Sequence, residues 1–468
     1  VIGVIDVFLV SYKVQGIKNL DSMLSLSFYK KTIRKPIDTQ DYNIKGIYGM
    51  NGSGKSAIIM SVDILRNLLV DEDYLNNPVV QNSLNEIINK KTNKLYIEAE
   101  FLVQIPENEP LIYNYLVELR KDKGKYFIYT EKLSYKNATS KKEEYSLLIE
   151  VSKGEIIQFN QGQDDSFKDI FIIKTANLLN NSTISSLFKS KIISFDEENE
   201  CVSLIVYSLF FLLLFGTKIN VYMDQSDEHT EYFLRNMLEY SDDLNKTLNN
   251  VSKLCKEDSY KLLLSNVLKM NAYGLNTISI DKNIISKDSY GDYEKSVKGL
   301  EKFIQIFKPE LTRIDIEKKE NGEKYSCSLN MVYGTYSINT EFESTGIKKL
   351  IRLFIYLQAM VHGEIIFIDE FDSNLHDVYL CALIEYLMEY AKGQLCFTTH
   401  NVGPMDILKS RKKSIDFLSL DHKIYPWTKN GNYSPSKLYR NGMIEGSPFN
   451  IDSIDFIGIF DVTKEDEE

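Results

Sequence analysis

The sequence predicts an α/β fold divided by a mainly helical insertion, and three observations carry that expectation. A glycine-rich loop at 49–56 lies between an apolar strand and an amphipathic helix. The apolar run Ile365 to Ile368 ends in two acids, and the apolar strand within "QLCFTTHN" ends in a polar triplet. Short apolar runs that stop abruptly at polar residues are what strands buried on both faces of a parallel sheet require. The expected division is a first part at 1–165, a helical insertion at 166–308 and a second part at 309–468.

Taken in order, Ile5 to Val14 and Leu24 to Phe28 carry strand spacing, with Gly16 to Asp21 as the turn between them. "NIKGIYGMNGSGKSAIIMSVDILRNLLV" reads strand, loop, helix, with apolar spacing through Ile58, Ile59, Val62, Leu65 and Leu69. From about 94 to 159, alternating segments separated by Asn, Pro, Gly and Lys predict antiparallel sheet. Helical patterns such as "EYFLRNMLEYSDDLNKTLNNVSKL" and "YEKSVKGLEKFIQIF" follow, and the polar stretch between Asn276 and Asp292 is expected as a loop. After Pro309 strands return, with Asn321-Gly322 as a hairpin turn. From Glu343 onward helix and strand alternate, as in a parallel sheet with crossovers. The closing "KEDEE" reads as an acidic tail.

The net charge of −11 provides no global basic footprint for nucleic acid. Cys201, Cys255, Cys327, Cys381 and Cys396 form no CxxC pair and are odd in number, so a reducing, cytoplasmic setting is expected rather than a disulfide framework. Val1 to Val4 lacks the basic start of a secretory leader. The most apolar stretch, Val202 to Phe215, is too short to span a bilayer and is expected as a buried helix.

Gly49-Met50-Asn51-Gly52-Ser53-Gly54-Lys55-Ser56 matches GxxxxGK[ST]. Glycines there let successive backbone N–H groups turn toward one anion, and the helix start adds partial positive charge. Asn51, Gly52, Ser53, Gly54, Lys55, Ser56 and Ala57 are the candidate binding residues for ATP. Lys55 would reach the β- and γ-phosphates and Ser56 would hold Mg²⁺. Asp369 is the second candidate metal ligand, and Glu370 beside it is a candidate general base. His400 follows 30 residues after Glu370 (400 − 370), beyond a helix, so a neighbouring strand would bring it to the same edge. His229, His362, His376 and His422 have no metal-ligand spacing.

The segments at 49–56 and 365–370, with "SNLH" at 373–376 and His400, resemble the ATP-binding-cassette ATPases, and within them the SMC, RecF and OLD-like branch, where a long insertion separates the nucleotide motifs. Here the gap is 314 residues (369 − 55), too long for a compact transporter cassette. "ESTGIKKLIRLF", "IDEFDSNLH", "FTTHN" and "SPSKLYRNGMIEGSPF" are similar to the AAA-type ATPases of bacterial abortive-infection and anti-phage systems. The resemblance implies an ABC-type P-loop ATPase head, a mixed sheet with an antiparallel β-subdomain, working as a homodimer or higher homo-oligomer with ATP between paired heads. It implies that Glu343-Ser344-Thr345-Gly346, which lacks the double glycine and Gln of the LSGGQ form, caps the partner's nucleotide through Ser344 and Gly346. Asn374 and His376 would lie near the opposing subunit, and Gln104, Gln158 and Gln161 all remain open as the Q-loop glutamine.

The group further implies a phage-defence sensor or gate controlling a toxic effector. After His400 only 68 residues follow (468 − 400), without a DxD, so a separate effector protein is expected rather than a nuclease within these residues. Two other readings stay open: a DNA-repair ATPase that binds DNA directly, and a scaffold for which ATP is structural glue. Lys30, Lys31, Arg34 and Lys35, and Lys409, Arg411, Lys412 and Lys413, read as solvated basic faces or as nucleic-acid contacts.

Overall fold

The computed structural model describes residues 5–71, 74–105, 108–140, 144–153, 155–159, 200–223, 278–428 and 433–448. It is an α/β architecture of three sheets.

A seven-stranded antiparallel sheet forms first. It takes β1 (Asp6–Gln15) and β2 (Leu24–Ser27) from the N-terminus. After β3 (Ile44–Gly49), α1 (Lys55–Val70) and α2 (Pro78–Ile87) come β4 (Lys94–Gln104), β5 (Leu111–Asp122), β6 (Lys125–Asn137), β7 (Ser146–Ser152) and β8 (Glu155–Phe159). The order is β2-β1-β4-β5-β6-β7-β8. Alternation drives it: Leu95, Ile97, Ala99 and Phe101 on β4 are buried while the residues between them are half-exposed.

The segment α3 (Glu200–Lys218) follows and leads directly into β9 (Ile219–Tyr222). Then come β10 (Asn283–Ser286), α4 (Tyr290–Phe307), β11 (Arg313–Asn321), β12 (Lys324–Tyr333) and β13 (Tyr336–Asn339), whose strands form a second, small antiparallel sheet. Gly322, at φ +59°, makes the β11–β12 turn expected from Asn321-Gly322. The remaining elements are α5 (Thr345–Val361), β14 (Ile365–Ile368), α6 (Asp377–Tyr390), β15 (Gln394–Thr398), α7 (Met405–Leu408), β16 (Ile415–Leu418), β17 (Ile424–Pro426) and α8 (Pro435–Arg440).

The central sheet has the order β17-β16-β3-β15-β14-β9, all parallel except β17. Its strands come from three separate stretches of sequence. Ile365 to Ile368 are all buried, as covering on both faces demands. Removing one of these large side chains, Phe367→Ala for example, costs about 3–5 kcal/mol.

Two findings differ from the sequence expectations. The polar stretch between Asn276 and Asp292 holds β10, which pairs with β12 from Asn283↔Cys327 to Ser286↔Lys324. Its single inward residues, Asn283 and Ile285, are too few to stand out as a pattern. Described parts of 166–308 also pack with the flanking stretches: β9 pairs with β14, and α4 packs on α5. "EYFLRNMLEYSDDLNKTLNNVSKL", Cys255, His229, Gln161 and the acidic tail lie outside the described residues.

In the apolar helix α3, Ser208, Leu209 and Phe211 to Phe215 are buried. Phe215 stacks on Phe101 at 4.3 Å, and a Cβ on Gly216 would sit 2.8 Å from Leu69 of α1, so glycine permits the close crossing of the two helices. No described helix is long and apolar enough to cross a membrane.

Candidate functional site

The loop at 49–56 leaves the C-terminal end of β3, which is buried along its whole length. Gly52 and Gly54 take φ +77° and +105°, a region that suits glycine. A Cβ on Gly54 would also lie 2.6 Å from Leu20 Cδ2. Asn19 Nδ2 donates to the Gly52 carbonyl at 2.5 Å and pins the loop from β1's following turn. The Lys55 amine folds back to donate to the carbonyls of Gly49 at 2.8 Å and Met50 at 3.1 Å. The side chain is buried and burial lowers its pKa, opposed by the charges of Asp369, Glu370 and Asp372.

The acids follow from register. Ile368 of β14 is paired with Phe397 of β15, and Thr398 of β15 with Ile47 of β3, so three strand ends meet. Asp369 N–H donates to the Tyr222 carbonyl of β9 at 2.9 Å. The Thr398 hydroxyl donates to Asp369 Oδ1 and accepts the Glu370 N–H at 2.8 Å. Glu370 itself is in the left-handed region at φ +46°, which costs a non-glycine residue about 1–2 kcal/mol. That turn aims the Glu370 side chain out of the strand ladder into solvent, whereas Asp369 stays buried.

His400 lies two residues beyond β15. Its N–H is 3.3 Å from both Asp372 carboxylate oxygens, and the Asn401 N–H donates to Asp372 Oδ2 at 3.1 Å. Partial desolvation lowers the His400 pKa and the Lys55 cation adds to this, against Asp372, Glu370 and Asp369. The P-loop lysine, both acids and the histidine thus share one edge of the central sheet.

Ser344 caps α5, its hydroxyl accepting the Ile347 N–H at 3.4 Å. Gly346 faces the Asn374 carbonyl, which would lie 3.0 Å from an added Cβ. His376 caps α6 through Nδ1, and Asn374 is left-handed at φ +58°. Among the described residues, no hydrogen bond joins Ser344 or Gly346 to the loop at 49–57 of the same chain. Gln104 ends β4 opposite Asp6, and Gln158 is in β8 opposite Glu150. Neither placement selects a Q-loop residue.

Sequence reading did not single out Thr398 for its hydroxyl, nor Asp372, Asn19 or Lys349. The Lys349 amine is 2.6 Å from the Glu370 carbonyl and also donates to the Ser373 hydroxyl. Only proximity in the fold reveals these roles, apart from the position of Asp372 inside "DEFDS".

The donor set fits a magnesium nucleotide. A Cβ added at Gly52 would meet nothing within 4 Å, and α1 presents its N-terminus with no acid in the first turn. Half-buried Ser56 and buried Asp369 would provide one hydroxyl and one carboxylate. Mg²⁺ takes few protein ligands and completes its shell with phosphate oxygens and water. No described group of three His, Cys, Asp or Glu residues forms a self-sufficient metal cage.

Residues 300–406 match the family described as "AAA domain, putative AbiEii toxin, Type IV TA system". The match runs from α4 through α5, β14 and His400, and stops short of the glycine loop. No curated protein matches the chain. Among solved structures, similarity is found to one titled "Structure of the recombination mediator protein RecF-ATPrS in RecFOR pathway", at 12% identity and a TM-score of 0.36, covering 90% of this chain and 99% of that one.

Proposed function

We propose that this chain, an ABC-like AAA ATPase head, hydrolyses ATP as a homodimer or higher homo-oligomer, and that its opening and closing gate a separate toxic effector in the cytoplasm during anti-phage defence. The single observation that carries the hydrolytic reading is the meeting of Lys55, Asp369, Glu370 and His400 at adjacent strand ends.

In this reading the backbone N–H groups of the loop and the Lys55 cation stabilise charge on the transferred phosphoryl group. Ser56 and Asp369 would hold a bound Mg²⁺, which would supply Lewis-acid stabilisation of the developing charge. Glu370, exposed at the mouth, orients water and accepts its proton. The lowered pKa of His400 favours a neutral ring, which can donate from one nitrogen and accept at the other. Ser344 and Gly346 share no hydrogen bond with the described loop of their own chain, and we assign them to a second copy's nucleotide. Differential contacts of ATP with the closed and open pairs would then drive the movement. The effector role rests on the resemblance of the motifs and on the toxin named in the matching family's description.

Glu370→Gln is the decisive experiment. It is expected to keep ATP binding, lower turnover about 100-fold or more, and hold the oligomer closed. Turnover at the original rate would remove Glu370 from the chemistry.

One observation favours the alternative of direct DNA binding. The fold brings the two basic clusters together: Lys30 lies over Tyr29 at 5.4 Å, Tyr29 packs on Tyr42 at 4.4 Å, and Lys412 lies over Tyr42 at 5.6 Å. Much of that charge is already paired, since Asp41 binds Lys412 at 2.6 Å and Arg411 at 3.4 Å. DNA-stimulated turnover that weakens steeply with salt would select this reading.

A further inference from the structure

We infer that Lys349 is a positioning residue for Glu370, holding the backbone from which the carboxylate projects. The inference rests on the hydrolytic reading above and concerns the same site.

Lys349 lies on α5, five residues after Ser344, and its side chain is buried. Lysine is rarely buried without partners for its ammonium group. Here the amine donates to the Glu370 carbonyl at 2.6 Å and to the Ser373 hydroxyl, and lies 6.0 Å from the centre of the Tyr222 ring. These partners are all backbone or side chains of the turn that carries Glu370, or of the strand beside it.

That turn needs holding. Glu370 is left-handed, and such a residue persists only where its surroundings over-determine it. Its N–H is bound by Thr398 Oγ1 at 2.8 Å, and the next N–H, of Phe371, by the Thr398 carbonyl at 3.0 Å. Its carbonyl accepts the Ser373 N–H at 3.0 Å and the Lys349 amine. Strand β15 therefore fixes one side of the residue, and Lys349 fixes the other from a different element. The Glu370 side chain is exposed, so its direction is set by this backbone. Lys349 hydrogen-bonds to the Glu370 turn, whereas Lys55 and the glycine loop are held by contacts of their own. Its loss should disturb the chemical step and spare nucleotide binding.

The test uses the full chain with ATP and Mg²⁺. Lys349→Met keeps the apolar stem and removes the donor. It is expected to lower kcat about 10- to 100-fold with KM changed less than about threefold, and Lys349→Arg, which retains a cationic donor, to recover part of the loss. The discriminating measurement is a double-mutant cycle by single-turnover hydrolysis. If Lys349 acts through Glu370, adding Lys349→Met to Glu370→Gln produces little further loss. Unchanged kcat in Lys349→Met, or an equal loss in both backgrounds, would overturn the inference. Should Lys349→Met fail to fold, Lys349→Gln enters the same cycle. Failure of the hydrolytic reading is separately visible, because the unaltered chain would then bind ATP without turning it over.

Discussion

Lys45 lies near the start of β3 and Lys55 beyond its end, and their surroundings have little in common. At the N-terminal edge of the central sheet, Lys45 is paired with Asp416 at 2.7 Å, both side chains nearly inaccessible. Beside it Gln394 exchanges two hydrogen bonds with the backbone of Leu9, at 2.6 and 3.0 Å, and Lys218 faces Glu364 at 3.9 Å. Polar groups there are closed on one another. At the C-terminal edge, Lys55 rests on two carbonyls, Glu370 is exposed, and Asp372 is occupied by amides of the His400 loop. One edge satisfies its charges internally and ties the sheets together. The other gathers a cation, two acids and an imidazole close enough to interact electrostatically. Ligand chemistry at the carboxyl ends of parallel strands follows from that asymmetry.

The largest effect that could break this contrast is the exchange of the two lysines' roles. Lys45→Met leaves Asp416 buried and uncompensated, and is expected to cost about 3–5 kcal/mol in denaturant unfolding while the folded fraction still binds ATP. Lys55→Met should abolish hydrolysis with little loss of stability. Equal stability losses in the two variants would erase the distinction between the edges.

A smaller effect is expected at Thr398. Thr398→Val keeps the shape and removes the hydroxyl that joins Asp369 to the Glu370 amide. Turnover should fall about tenfold, with stability reduced by about 1–3 kcal/mol for the unsatisfied Glu370 N–H. A variant with normal kcat would show that the link between β14 and β15 is structural alone.

The smallest effect sharpens the N-terminal edge. Burial raises the Glu364 pKa to about 7, against the attraction of Lys218 and the hydrogen bond from Asn220. A carboxyl raised in the folded state binds more protons there than in the unfolded chain, so stability falls as pH rises from the ordinary carboxyl range through about 7. Thermal unfolding of Glu364→Gln should show a flatter dependence between pH 5 and pH 8 than the unaltered chain. Parallel curves would mean that Glu364 contributes no pH dependence.

The legible parts of the sequence were those written in consecutive residues. The loop at 49–56 announces itself because a phosphate cradle needs its glycines and lysine in one continuous turn. Asp369, Glu370 and His400 were findable because each follows an apolar run. The strands of 94–137 were visible through alternation. What could not be read depends on partners brought together from afar: Thr398 meets Asp369 across 29 residues, Asn19 meets Gly52 across 33, and Lys349 meets Glu370 across 21. Strand β9 was hidden for another reason. It has four residues, directly follows a long apolar helix, and includes the polar Asn220.

The position of β3 has a consequence for biosynthesis. Both of its neighbours, β15 and β16, are made long after it, since Gly49 and Gln394 are separated by 345 residues (394 − 49). At ribosomal rates of about 5–20 residues per second, that interval lasts roughly 17–70 s. Until then the glycine loop hangs on a strand with no sheet around it, and the acids that would complete its site do not yet exist. A nascent chain that stops short of β15 therefore lacks the neighbouring strand ends that surround the glycine loop in the folded protein.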